Sequence, residues 1–245
     1  GLAREGVVFE KHMASAPTTL ASHTSLMAGV WPHTHGVPRN GFLVPHENEM
    51  LAEILKDKGF RTAGFVGGYP LKKRYQFDQG MDHYDDRMDR RAEGISVYGS
   101  QRSAKNIATA LNKYLGANPL AKEEQLFLFL HFFDVHSPYM PPEPFDTMYV
   151  EDSLDVTGTL QDVARISAAL KKNHPEAKAK SDVLERLYAG EVSYVDHHLG
   201  RVFRMLKEHG VYDDALIVIT SDHGETMAEH APSAGALPHS AWFLL

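Results

Sequence analysis

Two adjacent side chains, Asp222 and His223, are the strongest chemical signal in the sequence. They directly follow the apolar run from Leu216 to Thr220, which is typical of a buried strand. A carboxylate and an imidazole side by side after such a strand can both reach one divalent ion. The alternative is a polar turn in which Ser-Asp-His-Gly only ends the strand. Further acidic residues and histidines follow in the same loop region, His239 among them, and favour the metal site.

A second polar group follows the apolar run from Leu126 to Phe133, in the sequence His-Phe-Phe-Asp-Val-His-Ser-Pro-Tyr. Imidazoles at these positions could contact an anionic substrate or protonate a leaving oxygen. For His131, still inside the predicted strand, a hydrogen-bonded core histidine is a serious alternative. His136 lies beyond the strand and next to prolines, and there a functional role is favoured. Asp134, between the two histidines, is a further site candidate.

A third candidate is Thr19, in the stretch Ala-Pro-Thr-Thr-Leu-Ala-Ser-His that enters a predicted helix. A hydroxyl at a helix start faces unpaired N–H groups and the positive end of the helix dipole, which suits an anionic substrate. Such a hydroxyl is a nucleophile if a metal lowers its pKa. Taken alone, however, threonine is also a good helix cap. The loop after this helix carries Asn40, which by itself is an ordinary turn residue.

The bulk composition excludes several classes of protein. The formal net charge of -7 and the pI of about 6.1 do not fit a nucleic-acid-binding surface. The sequence contains no cysteine, which excludes disulfides and thiolate metal sites. No apolar run approaches the roughly 20 residues of a membrane span, so we expect no membrane segment in this chain.

Apolar periodicity predicts the elements that must position these residues. Runs typical of strands alternate with amphipathic helices, which predicts a mostly parallel sheet with helices on both faces. In such sheets ligands bind beyond the carboxyl ends of the strands, where the polar groups above lie. We expect strands at 7–9, 61–66, 126–133 and 216–220, helices at 20–28, 49–58, 103–115 and 182–209, and a polar surface insertion at 150–180 that is partly helical.

The order of five motifs resembles the sulfatase family of the alkaline-phosphatase superfamily, from Leu2 to His239. They are Leu-Ala-Arg-Glu-Gly-Val-Val-Phe, Ala-Pro-Thr-Thr-Leu-Ala-Ser-His-Thr-Ser-Leu-Met-Ala-Gly, His-Thr-His-Gly-Val-Pro-Arg-Asn, His-Phe-Phe-Asp-Val-His-Ser-Pro-Tyr and Thr-Ser-Asp-His-Gly-Glu-Thr-Met-Ala-Glu-His. Each motif is moderately specific, and five in this order are highly specific. The resemblance implies an α/β fold, a three-layer αβα sandwich of the alkaline-phosphatase type.

The nucleophile motif departs from the family pattern. The family has Cys or Ser, any residue, Pro, Ser and Arg, and its first residue is oxidised to formylglycine. Here Thr19 stands at the nucleophile position, Ala21 replaces the proline and His23 replaces the arginine. Oxidation of a threonine side chain would give a ketone instead of the aldehyde. Thr19 therefore more closely resembles the unmodified threonine of related phosphodiesterases and phosphonate hydrolases.

The resemblance also implies a role for each site residue. Asp222, His223 and Thr19 would bind a divalent metal, calcium by family resemblance, although magnesium, manganese or zinc would also suit such ligands. Thr19, His136 and His239 would be catalytic, and Asn40 and His23 would contact the substrate.

We expect residues 1–245 to be one incomplete catalytic domain of this family, cut at both ends. The paired metal-binding aspartates of the family lie on a first strand, which would precede Leu2, and the family's C-terminal part would follow this chain. The Gly-Lys-x-His segment is replaced by Gly-Gly-Tyr-Pro-Leu-Lys-Lys from Gly67 to Lys73. The sequence does not determine the cellular compartment of the protein, and a periplasmic or extracellular location is compatible with it.

The sequence leaves three functions open. The first is hydrolysis of sulfate or phosphate esters, with a small molecule, glycan or lipid ester as substrate. The second is phosphoryl transfer to lipid or glycan headgroups. The third is a non-catalytic relative, which the substitutions at Ala21 and His23 support and the presence of Asp222, His223 and His136 opposes.

Overall fold

The fold is described from a computed structural model that covers residues 2–89, 101–151 and 154–225. Seven α-helices and three strands are formed in these ranges. They are α1 (Leu2–Glu5), α2 (Thr19–Ala28), α3 (Pro32–His35), α4 (Leu51–Asp57), β1 (Arg61–Val66), β2 (His83–Asp85), α5 (Ala104–Ala117), β3 (Leu126–His131), α6 (Leu160–Lys171) and α7 (Ala177–Glu208).

The strands form a parallel sheet in the order β2-β1-β3. In the register of β1 and β3, Arg61 is opposite Leu126 and Val66 is opposite His131. Parallel pairing brings the carboxyl ends of all three strands to one edge of the sheet, as the sequence predicts.

Helices cover both faces of the sheet. On one face, Leu20 and Met27 of α2 pack in a cluster with Val66 and Tyr84. On the other face, α5 and the C-terminal half of α7 pack in a cluster that contains Phe65. The predicted three-layer αβα arrangement is therefore confirmed.

The polar stretch at 150–180 contains packed structure. Ile166 of α6 joins Val183, Leu184 and Leu187 of α7 in a third apolar cluster. The long helix begins at Ala177 rather than at Asp182, because its first turns pack against α6. Whether residues 150–180 are an insertion relative to other proteins stays a prediction.

Two predicted strands, at 7–9 and 216–220, are not formed. Leu216 is 93% exposed and Val218 72% exposed, and Val7 is also exposed. Apolar β-branched residues favour a strand only when a neighbouring strand completes the hydrogen-bond ladder. Neither segment has such a neighbour within the described parts of the chain.

The strand β3 also differs from the prediction. The sequence indicates a central strand covered on both sides, but β3 is the last strand on its side of the described sheet, and residues 126–130 are only half-buried. The strand ends at His131 instead of Phe133.

Among the helices in the ranges given above, none combines the length and the apolar character that crossing a membrane requires.

Candidate active site

The first residue of α2, Thr19, is buried at the helix start, with Thr18 as the N-terminal cap residue. Its Oγ1 lies 3.5 Å from His223 Nε2. In the same turn the backbone N–H of Leu20 donates to Asn40 Oδ1 at 2.7 Å, so Asn40 satisfies one of the otherwise unpaired donors of the helix. Thr19 thus combines a position at the positive end of a helix with an imidazole neighbour.

The imidazole of His223 is oriented by its own loop. Nδ1 lies 3.0 Å from the carbonyl oxygen of Gly224, and because a carbonyl only accepts, Nδ1 carries the hydrogen. In the neutral ring, Nε2 therefore carries the lone pair, and this atom faces Thr19 Oγ1 at 3.5 Å and Asp222 Oδ2 at 3.4 Å. This tautomer suits either acceptance of the threonine proton or ligation of a cation.

Asp222 is held at the start of α2 through its backbone and its side chain. Its carbonyl oxygen accepts a hydrogen bond from Ser22 Oγ at 2.5 Å, and its Oδ2 lies 3.4 Å from His23 Nδ1. Burial alone would raise the pKa of Asp222, but the imidazoles of His23, His223 and His131 hold it below its ordinary value. Asp222 is therefore a carboxylate at neutral pH. Its Oδ2 is buried and has no hydrogen-bond partner within the described residues, as expected of an atom placed to meet a cation.

His23, predicted to contact substrate, is buried behind Asp222. Its Nδ1–H donates to the carbonyl oxygen of Thr19 at 2.8 Å, one helical turn back. Its ring packs edge-on against His131 at 4.8 Å between centroids. The geometry links His23 to Asp222 and to the backbone of Thr19, and its role toward substrate stays a prediction.

His131 lies at the carboxyl end of β3. Burial lowers the pKa of His131 to about 3, and the neighbouring charge of His23 acts in the same direction, so this ring is neutral near pH 7. The ring of His131 is buried, as in a core histidine, but its Nδ1 has no hydrogen-bond partner among the residues described. Both alternatives that the sequence left open for His131 stay predictions.

His136 lines a small open cleft together with His131, Asp222, His223 and Glu225. Its ring stacks on Phe133, with centroids 4.4 Å apart and an angle of 17° between the planes. Asp134, the site candidate between the two histidines, instead accepts from the backbone N–H of Ala104 at 2.9 Å and thereby binds the first turn of α5. This carboxylate has a structural role that spacing alone could not reveal, because α5 lies far away in the sequence.

Tyr139 was not named as a candidate from the sequence, and Glu225 was only one of the acidic residues that favoured the metal site. Tyr139 donates its hydroxyl hydrogen to Glu225 Oε2, and Glu225 Oε1 lies 3.9 Å from His136 Nε2. Both residues stand within the quoted motifs, so the motifs themselves were the signal. His239, predicted to be catalytic, lies outside the described residues.

The residues present fit part of a metal site. His223 Nε2 lies 3.4 Å from Asp222 Oδ2 and 3.5 Å from Thr19 Oγ1. These separations are close to the distances between two ligands of one ion. Among the described residues, no group of three histidine, aspartate or glutamate side chains could by itself hold a metal ion. Two strong ligands and a hydroxyl are too few for a hard cation, which usually takes six or more oxygen ligands.

Together these features define a class of protein: an αβα protein with a hydroxyl at a helix start that faces an Asp-His pair beyond the ends of parallel strands. The sulfatase family model matches residues 1–243, and the chain belongs to the sulfatase family. The resemblance inferred from the five motifs is thereby confirmed. The family is metal-dependent in general.

Three similar proteins illustrate the relationship. An arylsulfatase of Clostridium perfringens is 23% identical, over 94% of this chain and 58% of its own length. The crystal structure of the phosphonate monoester hydrolase of Agrobacterium radiobacter matches with a TM-score of 0.66 at 20% identity, covering 93% of this chain and 57% of that one. The zinc complex of the C-terminal periplasmic domain of EcEptC from Escherichia coli matches with a TM-score of 0.58 at 14% identity, covering 96% and 56%. The chain thus spans little more than half the length of these relatives.

Proposed function

We propose that the protein is a metal-dependent hydrolase of sulfate or phosphate esters in which the Thr19 hydroxyl is the nucleophile. One observation carries the proposal: Thr19 Oγ1, buried at a helix start, lies 3.5 Å from His223 Nε2, which in turn lies 3.4 Å from Asp222 Oδ2. The arylsulfatase and the phosphonate monoester hydrolase described above support the ester class.

Thr19, Asp222 and His223 would hold the metal, and when bound it would favour the alkoxide of Thr19 and neutralise charge on the transferred group. The resemblance points to calcium, with magnesium, manganese and zinc as alternatives that metal analysis of the purified protein would separate. Asp222 remains a carboxylate over the whole neutral range, which suits a cation ligand.

The reaction would proceed in two balanced steps. The Thr19 hydroxyl gives up its proton as Oγ forms a bond to the sulfur or phosphorus, the bond to the leaving oxygen breaks, and that oxygen takes up a proton to leave as the alcohol. Water then attacks the threonine ester and gives up a proton, the bond to Thr19 Oγ breaks, Oγ takes up a proton, and the acid is released. His136 lines the same cleft and is placed to contact oxygens of the transferred group or to assist the leaving oxygen.

Within this reaction class we favour phosphate or phosphonate esters. A formylglycine hydrate can expel sulfate by elimination, because its second hydroxyl collapses to the aldehyde. Thr19 has a single hydroxyl on its side chain, so hydrolysis by water must release the group. This preference for phosphate or phosphonate concerns only the group that is transferred to Thr19. The organic part of the substrate stays open.

The test compares the complete protein with two variants, Thr19→Ala and Thr18→Ala. The Thr18 hydroxyl is buried and has no hydrogen-bond partner among the described residues, so it is a matched control for loss of a buried threonine hydroxyl next to the nucleophile. We expect Thr19→Ala to lose at least about a thousandfold in kcat and Thr18→Ala to keep activity within a few-fold. The substrates are an aryl sulfate, an aryl phosphate and an aryl phosphate diester.

Intact-mass analysis of quenched turnover should show a covalent adduct on the wild-type protein that Thr19→Ala lacks. Full activity in Thr19→Ala would disprove the nucleophile assignment. Turnover of the sulfate ester alone would disprove the phosphate preference while leaving the nucleophile in place.

A further inference from the structure

The cleft that Asp222 and His223 line also has apolar surface. Three partly exposed side chains provide it, namely Phe132, Val135 and Tyr188. Phe132 and Val135 follow the carboxyl end of β3, whereas Tyr188 comes from α7. The Tyr188 hydroxyl is the only hydrogen-bonding group among these three side chains. The cleft thus combines polar residues that suit an anion with apolar surface that suits a different part of the same molecule.

The ring of Tyr188 is held in place from behind. It packs edge-on against the ring of Tyr139, with centroids 5.9 Å apart and an angle of 86° between the planes. It also packs on the third apolar cluster, to which Leu184 and Leu187 of the same helix belong. A ring that is already ordered loses little side-chain entropy when a ligand contacts it. Tyr188 is therefore suited to contact a flat apolar group.

The apolar surface lies beside the atoms proposed to react. Tyr188 lines the same cleft as His223, and His223 Nε2 lies 3.5 Å from Thr19 Oγ1. An ester whose transferred group meets Thr19 and His223 would place its alcohol part in this cleft. A sugar carries several hydroxyl groups, each of which gives up water on binding and then requires a new partner. Because the apolar surface supplies one hydroxyl at most, it favours an aromatic ring over a sugar.

We propose that the ring of Tyr188 determines substrate specificity by contacting the organic part of the ester, and that this part is an aromatic ring. The inference rests on the proposed function, because it assumes that the transferred group lies at Thr19, Asp222 and His223. It adds the chemical class of the organic part and the residue that recognises it. Tyr188 takes no part in forming or breaking bonds.

The test compares the binding of phenylphosphonate and methylphosphonate to the complete protein by calorimetric titration. Both carry the same anionic group, and neither contains an ester bond to cleave. We expect wild type to bind phenylphosphonate about 3- to 10-fold more tightly, which is the size of one aromatic contact. Tyr188→Ala should remove this preference while the Kd of methylphosphonate changes less than about twofold. Tyr188→Phe is the matched control, since it keeps the ring and should keep the preference.

Several outcomes would overturn the proposal. They are a wild type that does not prefer phenylphosphonate, including one that binds neither compound, a preference that survives Tyr188→Ala, and a preference that is lost in Tyr188→Phe as well. If Tyr188→Ala fails to fold, Tyr188→Leu takes its place. It keeps an apolar side chain without a flat ring and should lose most of the preference, and retention of the full preference would overturn the role of the ring.

Turnover separates this inference from the proposed function. The same variants are assayed with phenyl phosphate and with glucose 6-phosphate, and wild type should show the higher kcat/KM for phenyl phosphate. If wild type cleaves neither ester but the preference for phenylphosphonate depends on the ring, the hydrolase proposal fails and the aromatic subsite stands. If the esters are cleaved but Tyr188→Ala keeps the binding preference, the hydrolase proposal stands and the subsite fails. Preferential cleavage of glucose 6-phosphate would overturn the choice of an aromatic ring.

Discussion

The charge network at the end of β2 predicts how the protein responds to acid. Asp85 is buried there, and its carboxylate accepts hydrogen bonds from Arg87 Nε at 2.8 Å and from Arg102 Nη2 at 3.2 Å. Burial alone would raise the pKa of Asp85, but the hydrogen bonds from Arg87 and the charge of Arg102 outweigh burial and lower the pKa to about 2. We therefore expect substitution of Asp85→Asn to destabilise the fold at neutral pH.

The size of the effect follows from the pKa. A drop from 3.8 to about 2 corresponds to about 2.5 kcal/mol of unfolding free energy, at about 1.4 kcal/mol per pKa unit. Because the folded-state pKa of Asp85 is depressed, this stability is fully present well above pH 4. It is lost as the pH falls through about 4 toward 2, when the carboxylate becomes protonated in the folded state as well.

The assay is urea unfolding of wild type and Asp85→Asn at a series of pH values from 7 down to 3. The difference in unfolding free energy should be about 2 kcal/mol at pH 7 and should shrink steadily below pH 4. Asp86→Asn is the matched control, since the neighbouring Asp86 binds the backbone N–H of Lys73 from a more exposed position. A difference that stays constant with pH would refute the assignment to charge, and an equal effect in Asp86→Asn would refute the role of the buried network.

Three further predictions concern the core, the backbone and the metal. Leu111→Ala should lower the unfolding free energy by about 2–5 kcal/mol in urea titration, because Leu111 is fully buried between α5 and the sheet. Gly158→Ala should cost more than about 2 kcal/mol in the same assay, because Gly158 has φ +76° and a Cβ there would overlap the carbonyl oxygen of Tyr139. The complete protein should lose ester hydrolysis on treatment with a chelator and regain it with a divalent ion, and Asp222→Ala should lose both activity and bound metal in metal analysis.

Each of these has a result that would contradict it. A loss below about 1 kcal/mol in Leu111→Ala would mean that the helix layer is loosely packed. Gly116→Ala is the control for the glycine prediction. Open space surrounds Gly116 in α5, so alanine should stabilise by up to about 1 kcal/mol, and the same sign at both glycines would contradict the clash. Activity that survives exhaustive chelation would contradict metal dependence.

Along the sequence, apolar residues with the spacing of a strand alternate with apolar residues with the spacing of a helix. This pattern alone predicted most of the architecture. It predicted β1 at 61–66 with the bounds that are observed, and α2 and α5 within one or two residues. Periodicity is a local property, since a helix or strand that covers a core must repeat its apolar side chains with its own geometry. The motifs likewise indicated the family, because a catalytic constellation requires particular residue types in a particular order.

Strand pairing was decided by tertiary structure. The segment 216–220 has the composition of a strand, yet Leu216 and Val218 are exposed, since a strand requires a partner that no local pattern supplies. The same limit applies to β3, whose apolar residues indicated a central strand but which is the last on its side of the described sheet.

Tertiary structure also decided the different roles of the polar residues. From the sequence, His131, Asp134 and His136 were all site candidates at the end of one strand, with a functional role favoured for His136. In the folded chain, Asp134 accepts a hydrogen bond from the first turn of α5. His131 and His136 both line the cleft, His131 from a buried position and His136 from a more exposed one. These partners come from distant parts of the chain, and a hydrogen bond between segments far apart in sequence leaves no periodic trace in either of them. The sequence therefore determined which residue types meet at the strand ends, and tertiary packing decided which of them line the cleft.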